Sequence, residues 1–454
     1  MRRFLRHFLN VVSTQCGAAA LAVVALLAAC SGCGERAEWT VMIFMNATSD
    51  LDCYALTNFA QMAQFGSGPD FNLVVELGRD SGHQCPVPSW SGVRRFYVEP
   101  GSSAQNGVVI TGKDADLGDG KSVASFVEWA RSKYPARRYG LVVWGHGRGF
   151  HLQKELPATS AQLSHEIGGI RSVGTGASGD ILYNRDLADS LESVLQSGPL
   201  DFLGFDACYM AGLENAFAFR RIGRYLVASE NSVSYNGWNY AIWQTKFRKA
   251  GSRIEGLQLS HLLIDAFADT HKQYDFVSDL AAMDLGQANT VTKLVSELAD
   301  ILRERLDDKS VLRAIQMSRS GIRGVYGPNS PGNMVDLRSF VEALPFNTSD
   351  SVITAAAKAL DSQLQSFVLK GYPGGSDNGV SIFFPASKGA WIDDSDGAAY
   401  VRRTGCDPRD KSRIEFVCDP AQHWPDFLAD YVTKSVGARH DNSVGRSSAS
   451  LSKR

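Results

Sequence analysis

Short, nearly unbroken apolar runs recur through the first half of the chain: Thr40–Ala47, Phe71–Leu77, Val93–Glu99, Tyr139–Trp144, Leu200–Phe205 and Tyr225–Ser229. Val41-Met42-Ile43-Phe44-Met45 and Leu141-Val142-Val143-Trp144 contain no polar position, the pattern of strands covered on both faces. Helix-period segments lie between them, clearest at Lys121–Lys133, where Val123, Phe126, Val127 and Ala130 repeat at three- and four-residue spacing. Strands alternating with helices predict an α/β fold, a mainly parallel β-sheet with helices on both faces. The second half reads as more helical, with amphipathic spacing over Leu257–Tyr274, Leu285–Arg305 and Ser351–Leu369. One strand returns at Gly379–Phe384, and Trp424–Val432 reads as a short closing helix. Residues 152–180 and 386–420 are Gly- or Asp-rich and aperiodic, which predicts surface insertions. Residues 434–454, rich in Ser and Lys/Arg, read as a disordered tail. No internal repeat is visible.

The N-terminus departs from this pattern. Arg2, Arg3 and Arg6 precede a small, uncharged apolar stretch, Gly17–Ala29, which is short for a membrane span and fits the hydrophobic region of a signal peptide. It ends in Leu27-Ala28-Ala29-Cys30, which resembles the lipobox of bacterial lipoproteins. That resemblance implies cleavage before Cys30, lipidation of its thiol, and anchoring in the bacterial cell envelope, periplasmic or at the cell surface. A plain secretory signal or an uncleaved anchor is the alternative. The expected organisation is a signal peptide over 1–29, a linker over 30–38, one domain over 39–433 and the tail.

Composition narrows the classes. The 454 residues include 46 basic and 48 acidic side chains, for a formal charge of −2, with 44% hydrophobic residues. Loss of the three N-terminal arginines would leave 43 basic and 48 acidic residues, a charge of −5. A globular protein is expected, and the balance argues against a nucleic-acid partner, which needs a basic face. Export permits disulfides among the eight cysteines. Cys406 and Cys418, flanking a short polar segment, are the preferred pair, and Cys53 and Cys85 a second. Cys30 and Cys33 have redox-motif spacing, but no strand precedes them. Cys208 has different surroundings from all of these.

Two apolar strands stop on reactive side chains. In Tyr139-Gly-Leu-Val-Val-Trp-Gly-His146-Gly, the imidazole follows the strand end between glycines. In Leu200-Asp-Phe-Leu-Gly-Phe-Asp206-Ala-Cys208-Tyr-Met-Ala, the thiol sits between a strand and a predicted helix, Met210–Arg220. In a parallel α/β sheet both would reach the same carboxyl-end crevice. A thiol is mostly protonated at neutral pH, so a neighbouring imidazole and a helix N-terminus would favour the nucleophilic thiolate. The amides of Gly147 and Cys208 could hold the oxyanion formed on an attacked carbonyl, each contributing about 2.7–4 kcal/mol. Read singly, a strand-end His is as consistent with a structural residue, and the Cys with a small buried hydrophobe.

Trp144-Gly-His146-Gly, Gly204-Phe-Asp206-Ala-Cys208-Tyr-Met-Ala and the opening Trp39-Thr-Val-Met-Ile-Phe-Met-Asn46-Ala resemble the clostripain-like cysteine peptidases, family C11. So do Phe126-Val-Glu-Trp129, Gly237-Trp238-Asn-Tyr240, Met334-Val-Asp336-Leu, Gly379-Val-Ser-Ile-Phe-Phe-Pro385 and Trp424-Pro-Asp-Phe-Leu428, in order from about residue 39 to 430. The resemblance implies the caspase–haemoglobinase fold, with Cys208 as nucleophile, His146 as general acid/base and peptides or proteins as substrates. It places Asp206, with Asn236 and Trp238, in the pocket for a basic P1 side chain, where a carboxylate would pair with Arg or Lys. From the residues alone, Asp206 could instead cap the following helix. Relatives often carry a second acid where this chain has Ser234-Tyr235-Asn236, which leaves strict Arg preference open. Activation by cleavage after the His is common in the family, and Lys154 and Arg171 are candidate sites.

Other signals are weaker. Asp114-Ala-Asp116-Leu-Gly-Asp119 has lost the fifth-position oxygen of a calcium loop and reads as a turn capping the helix at 121. Gly120-Lys121-Ser122 lacks the first glycine of a P-loop. His151 and His165 lack metal-type spacing with His146. No cofactor or metal is expected, calcium being allowed only by resemblance. The expectation is therefore an exported, lipid-anchored cysteine endopeptidase cleaving after Arg or Lys. The alternative is a surface lipoprotein keeping the fold for binding without turnover. The missing second glycine of the nucleophile motif argues against an α/β-hydrolase.

Overall fold

The computed structural model describes residues 36–48, 50–80, 85, 89–149, 182–272, 278–320, 322, 333–373, 379–386 and 395–441. The lipobox, Cys30, Cys33, Lys154 and Arg171 lie outside them. Among the described residues eleven strands are present: β1 (Ala37–Ala47), β2 (Phe71–Arg79), β3 (Gly92–Tyr97), β4 (Val108–Ile110), β5 (Ala136–Trp144), β6 (Phe202–Asp206), β7 (Tyr225–Ala228), β8 (Leu280–Asp284), β9 (Met334–Asp336), β10 (Val368–Tyr372) and β11 (Ser381–Phe383). Nine form one sheet in the order β10-β8-β7-β6-β5-β1-β2-β3-β4, and β9 pairs with β11. The five central strands, β2-β1-β5-β6-β7, are parallel, and antiparallel pairs close both edges.

Strand alternation explains the double-sided burial. Met42, Phe44, Leu141 and Val143 face one apolar layer. Val41, Ile43, Met45, Val142 and Trp144 face the other. Helices α1 (Asp52–Ala63), α5 (Tyr240–Ala250) and α6 (Gly256–His271) cover the second layer through Phe59, Trp243 and Leu263. On the opposite face lie α2 (Gly120–Lys133), α3 (Asn184–Val194), α4 (Leu213–Ala218), α7 (Ala288–Glu304), α8 (Lys309–Ser320), α9 (Leu337–Asn347) and α10 (Ser351–Phe367), with the late helices α11 (Ser395–Arg402), α12 (Glu415–Cys418) and α13 (Trp424–Asp441). The mainly parallel sheet with helices on both faces is the architecture expected from the sequence.

Several expectations need correction. Residues 368 and 369, read as helix, belong to β10, and α13 continues to Asp441, into the segment read as a tail. The aperiodic 386–420 stretch carries α11 and α12 and is fastened by a Cys406–Cys418 disulfide with Cα atoms 5.4 Å apart. The Asp114–Asp119 segment, by contrast, is the helix-capping turn expected: Asp119 caps α2, accepting from the Lys121 amide at 3.0 Å.

From β1 the chain goes to β2 on one side and, after the hairpin edge, to β5, β6 and β7 on the other. The strand order therefore reverses between β1 and β5. In an open α/β sheet that reversal opens a crevice at the strands' carboxyl ends.

Candidate active site

Register delivers the site. Met45 of β1 pairs with Trp144 of β5, and Trp144 with Asp206 of β6, so three strand ends lie level. Two residues beyond Trp144 comes His146, and two beyond Asp206 comes Cys208. The Gly145 amide donates to the Asp206 carbonyl at 3.2 Å, carrying the pairing one residue past the strands. Gly147 then lies directly on the Cys208 backbone, where only a glycine fits: a Cβ there would stand 2.3 Å from the Cys208 carbonyl oxygen. Neither the Gly147 nor the Cys208 amide donates to a backbone carbonyl among the described residues.

The next residue, Tyr209, has φ of 63°, a left-handed conformation that costs a bulky residue energy and is held by its surroundings. Its amide donates to the Asn231 carbonyl at 3.1 Å, and the Ala211 amide to that of Ser229 at 2.9 Å. The Ser381 amide donates to the Ala211 carbonyl at 2.9 Å. These cross-chain bonds occupy residues 209–211, so the helix expected over Met210–Arg220 begins at Leu213, with Gly212 as its N-cap. Cys208 is consequently not at a helix N-terminus, which removes one support the sequence suggested for a thiolate.

The thiol instead meets the loop after β7. The Val233 amide donates to Sγ at 3.2 Å. Asp279, fully buried, ties that loop down by accepting from Ser229 Oγ at 2.6 Å and from the Glu230 and Asn231 amides at 2.9 Å. Burial pushes the Cys208 thiol up to about 11, the carboxylates of Asp206 and Asp279 adding to the rise and the Val233 amide opposing it. No hydrogen bond joins it to His146. The imidazole Nε2 lies 2.7 Å from Asp50 Oδ1, in the turn after β1. Resting cysteine–histidine sites commonly tighten only when substrate enters.

Asp206 is buried and does not cap α4. Its Oδ2 accepts from the Trp238 amide and the Tyr240 hydroxyl, both at 3.0 Å. Its Oδ1 has no partner. Burial raises its pKa to about 7, those two donors only partly offsetting the rise. Gly237, at φ 60°, covers the carboxylate so closely that a Cβ would stand 2.8 Å from Oδ2 and 3.2 Å from Asn58 Oδ1. Beside the carboxylate lies the neutral Asn58, whose Nδ2 donates to the Asn236 carbonyl at 3.0 Å. The Asn236 side chain is exposed at the rim. The Trp238 ring is buried against Gly204.

Residues invisible as site candidates in the sequence also gather here: Asp50, Asn58, Val233, and Tyr54 stacked on the exposed Tyr235 with ring centroids 5.3 Å apart. The position of Asp50 at the end of the strand next to β5 was its one legible signal. The only three-residue group with metal-ligating spacing among the described residues is Asp52, Cys53 and Cys85, and its two thiols form a disulfide.

The arrangement brings a thiol, an imidazole and a buried carboxyl group to one end of the sheet. The Clostripain family model matches residues 43–430. Clostripain from Hathewaya histolytica is 23% identical over 401 residues, covering 76% of this chain and 74% of its own. The solved structure of an inactive zymogen C11 protease from Parabacteroides distasonis superposes with a TM-score of 0.54 at 19% identity, covering 80% of this chain and 96% of its own. A secreted C11 cysteine protease from Bacteroides thetaiotaomicron, in complex with an irreversible peptide inhibitor, gives 0.57 at 18% identity, covering 86% and 99%. The chain belongs to the clostripain family and is a cysteine-type endopeptidase.

Proposed function

We propose that the protein cleaves peptide bonds after Arg or Lys, with Cys208 as nucleophile and His146 as general acid/base, and acts at the cell envelope through a lipid on Cys30. The observation that carries the catalytic assignment is the register-matched exit of His146 and Cys208, with Gly147 packed on the Cys208 backbone. In the reaction, His146 takes the thiol proton as Sγ attacks the scissile carbonyl carbon. The amides of Gly147 and Cys208 bind the oxyanion. The imidazolium returns the proton to the leaving amine, giving a thioester, and then activates water to release the acid and regenerate the thiol.

Basic P1 selection rests on Asp206, whose buried Oδ1 has no partner. A guanidinium or ammonium entering there would satisfy that oxygen and draw the carboxyl into its charged form. With Asn58 as the neighbouring wall, both Arg and Lys are accepted. The two disulfides, Cys53–Cys85 and Cys406–Cys418, support export to an oxidising compartment.

Matched peptide amides differing only at P1 test the reading. Wild type is expected to cleave Arg and Lys substrates over Leu, Cys208→Ala to be inactive, and Asp206→Asn to lose the preference. Equal turnover of Leu substrates would overturn the pocket assignment. Incorporation of labelled fatty acid that persists in Cys30→Ser would overturn the anchor.

A further inference from the structure

The imidazole of His146 is engaged on one side by a residue that lies in no recognised motif. Nε2 stands 2.7 Å from Asp50 Oδ1, with the His146 side chain 18% exposed and that of Asp50 43%. We propose that Asp50 is a positioning residue for His146: its carboxylate accepts the Nε2 hydrogen, leaving Nδ1 as the nitrogen that exchanges the proton with Cys208 Sγ and the leaving amine. This rests on the assignment of His146 as acid/base.

The chemistry of the pair sets the tautomer. A carboxylate offers only acceptors, so the imidazole nitrogen facing it must carry hydrogen, and in the neutral ring the lone pair then sits on the other nitrogen. A general base needs its lone pair aimed at the proton it removes, and a free imidazole on a glycine-flanked turn divides its time among orientations and both tautomers. Asp50 removes that freedom. It also balances the positive charge that develops on the ring when the thiol proton arrives.

The fold keeps Asp50 in place although it is half exposed. The turn begins at the end of β1, where Asn46 Oδ1 accepts from the Thr48 amide at 3.2 Å and the Thr48 hydroxyl at 2.7 Å. Two residues past Asp50, the buried Asp52 forms a two-pronged ion pair with the buried Arg79, at 2.6 and 3.0 Å, and accepts from the Cys85 amide at 3.0 Å. Cys53 is bonded to Cys85, with Cα atoms 5.3 Å apart. Asp50 is thus carried on a segment pinned on both sides. It sits at the β1 end next to the β5 end that presents His146, on the two strands between which the sheet order reverses.

The test uses the full mature protein with Asp50→Asn, Asp50→Glu and, as reference, Cys208→Ala. Asp50→Asn keeps the shape but can no longer demand a hydrogen from Nε2. Its kcat on an Arg-amide peptide is expected to fall on the order of 10- to 100-fold, with KM and the thermal midpoint essentially unchanged, and Asp50→Glu is expected to recover part of the loss. An Asp50→Asn enzyme with wild-type kcat overturns the proposal, as does a loss that appears in KM and thermal stability instead. Activity remaining in Cys208→Ala would overturn the underlying peptidase assignment and not this one. A measurement independent of turnover separates the two further. Two-bond 1H–15N spectra of the Cys208→Ala protein should report His146 as the Nε2–H tautomer, and Asp50→Asn on that background should lose this preference. A predominant Nδ1–H tautomer in the presence of Asp50 contradicts the proposal.

Discussion

The Cα of Gly147 rests on the backbone of Cys208, with the position of a hypothetical Cβ 2.9 Å from the Cys208 amide nitrogen and 2.3 Å from its carbonyl oxygen. This contact joins the two strand ends that carry the imidazole and the thiol. Any side chain at position 147 must push them apart. Gly147→Ala is expected to reduce kcat/KM on Arg-amide substrates at least on the order of 100-fold, since a shift of about 1 Å at reacting groups has that effect. It should also lower stability by about 1–3 kcal/mol, as overpacking does. Steady-state kinetics and thermal melts of the variant check both. Retention of full activity would mean the contact does not set the site.

Asp206 gives a pH dependence with a defined sign. Its carboxyl ionises near 3.8 in an unfolded chain and at about 7 in the native protein, because burial disfavours the charge. Its contribution to stability is therefore complete below about pH 4 and is lost as pH rises through 7. Asp206→Asn, which removes the charge, should gain in melting temperature relative to wild type as pH goes from 4 to 8. On the proposed role of Asp206, a basic P1 side chain pairs with the ionised carboxylate, so kcat/KM for Arg substrates should rise with pH through about 7 in wild type. That limb should be absent in the variant.

The Cys208 thiol, pushed up to about 11, is predominantly protonated at rest. Alkylation of the free enzyme by iodoacetamide at pH 7.5 is expected to be at least about tenfold slower than that of a simple thiol near 8.5. The rate should keep climbing above pH 9. A plateau already at pH 7 would indicate a preformed thiolate–imidazolium pair and contradict a protonated resting thiol.

The turn carrying Asp50 is held by a bridge and an ion pair of different physical character. The Cys53–Cys85 bridge closes a 32-residue separation and Cys406–Cys418 one of 12. Chain-entropy reasoning gives about 3–4 kcal/mol for the longer loop and about 2–3 for the shorter. Paired Ser substitutions at 53 and 85 should therefore destabilise more than those at 406 and 418. Asp52→Asn strands the buried Arg79 guanidinium and should cost about 3–5 kcal/mol. Denaturant melts of the three variants measure the order.

Much of this architecture was legible because β1, β5 and β6 each contain an apolar run, and in β5 and β6 the reactive side chain follows two residues after the strand ends. His146 and Cys208 announce themselves that way. Asp50 does not: its turn has no periodicity, and its partner lies 96 positions away in sequence. The strand β8, Leu-Ala-Ala-Met-Asp, escapes because it is short and alanine-rich, without the β-branched residues that mark strands. The early start expected for α4 failed for a tertiary reason. Ala211 exchanges its hydrogen bonds with Ser229 and Ser381, which are remote in sequence, and local propensity yields to them. The disulfide partners were suggested by the export that the N-terminal segment predicts, whereas the Asp206 environment depends on Trp238 and Tyr240 arriving from another loop.

Intact-mass and fragment spectrometry of the mature protein treated with an irreversible, thiol-directed peptide probe bearing Arg at P1 addresses the shared cleft most directly. One adduct per chain, on Cys208 and strongly reduced in His146→Ala, is the predicted result. Labelling at another residue, or equal labelling of Cys208 with and without His146, would contradict it.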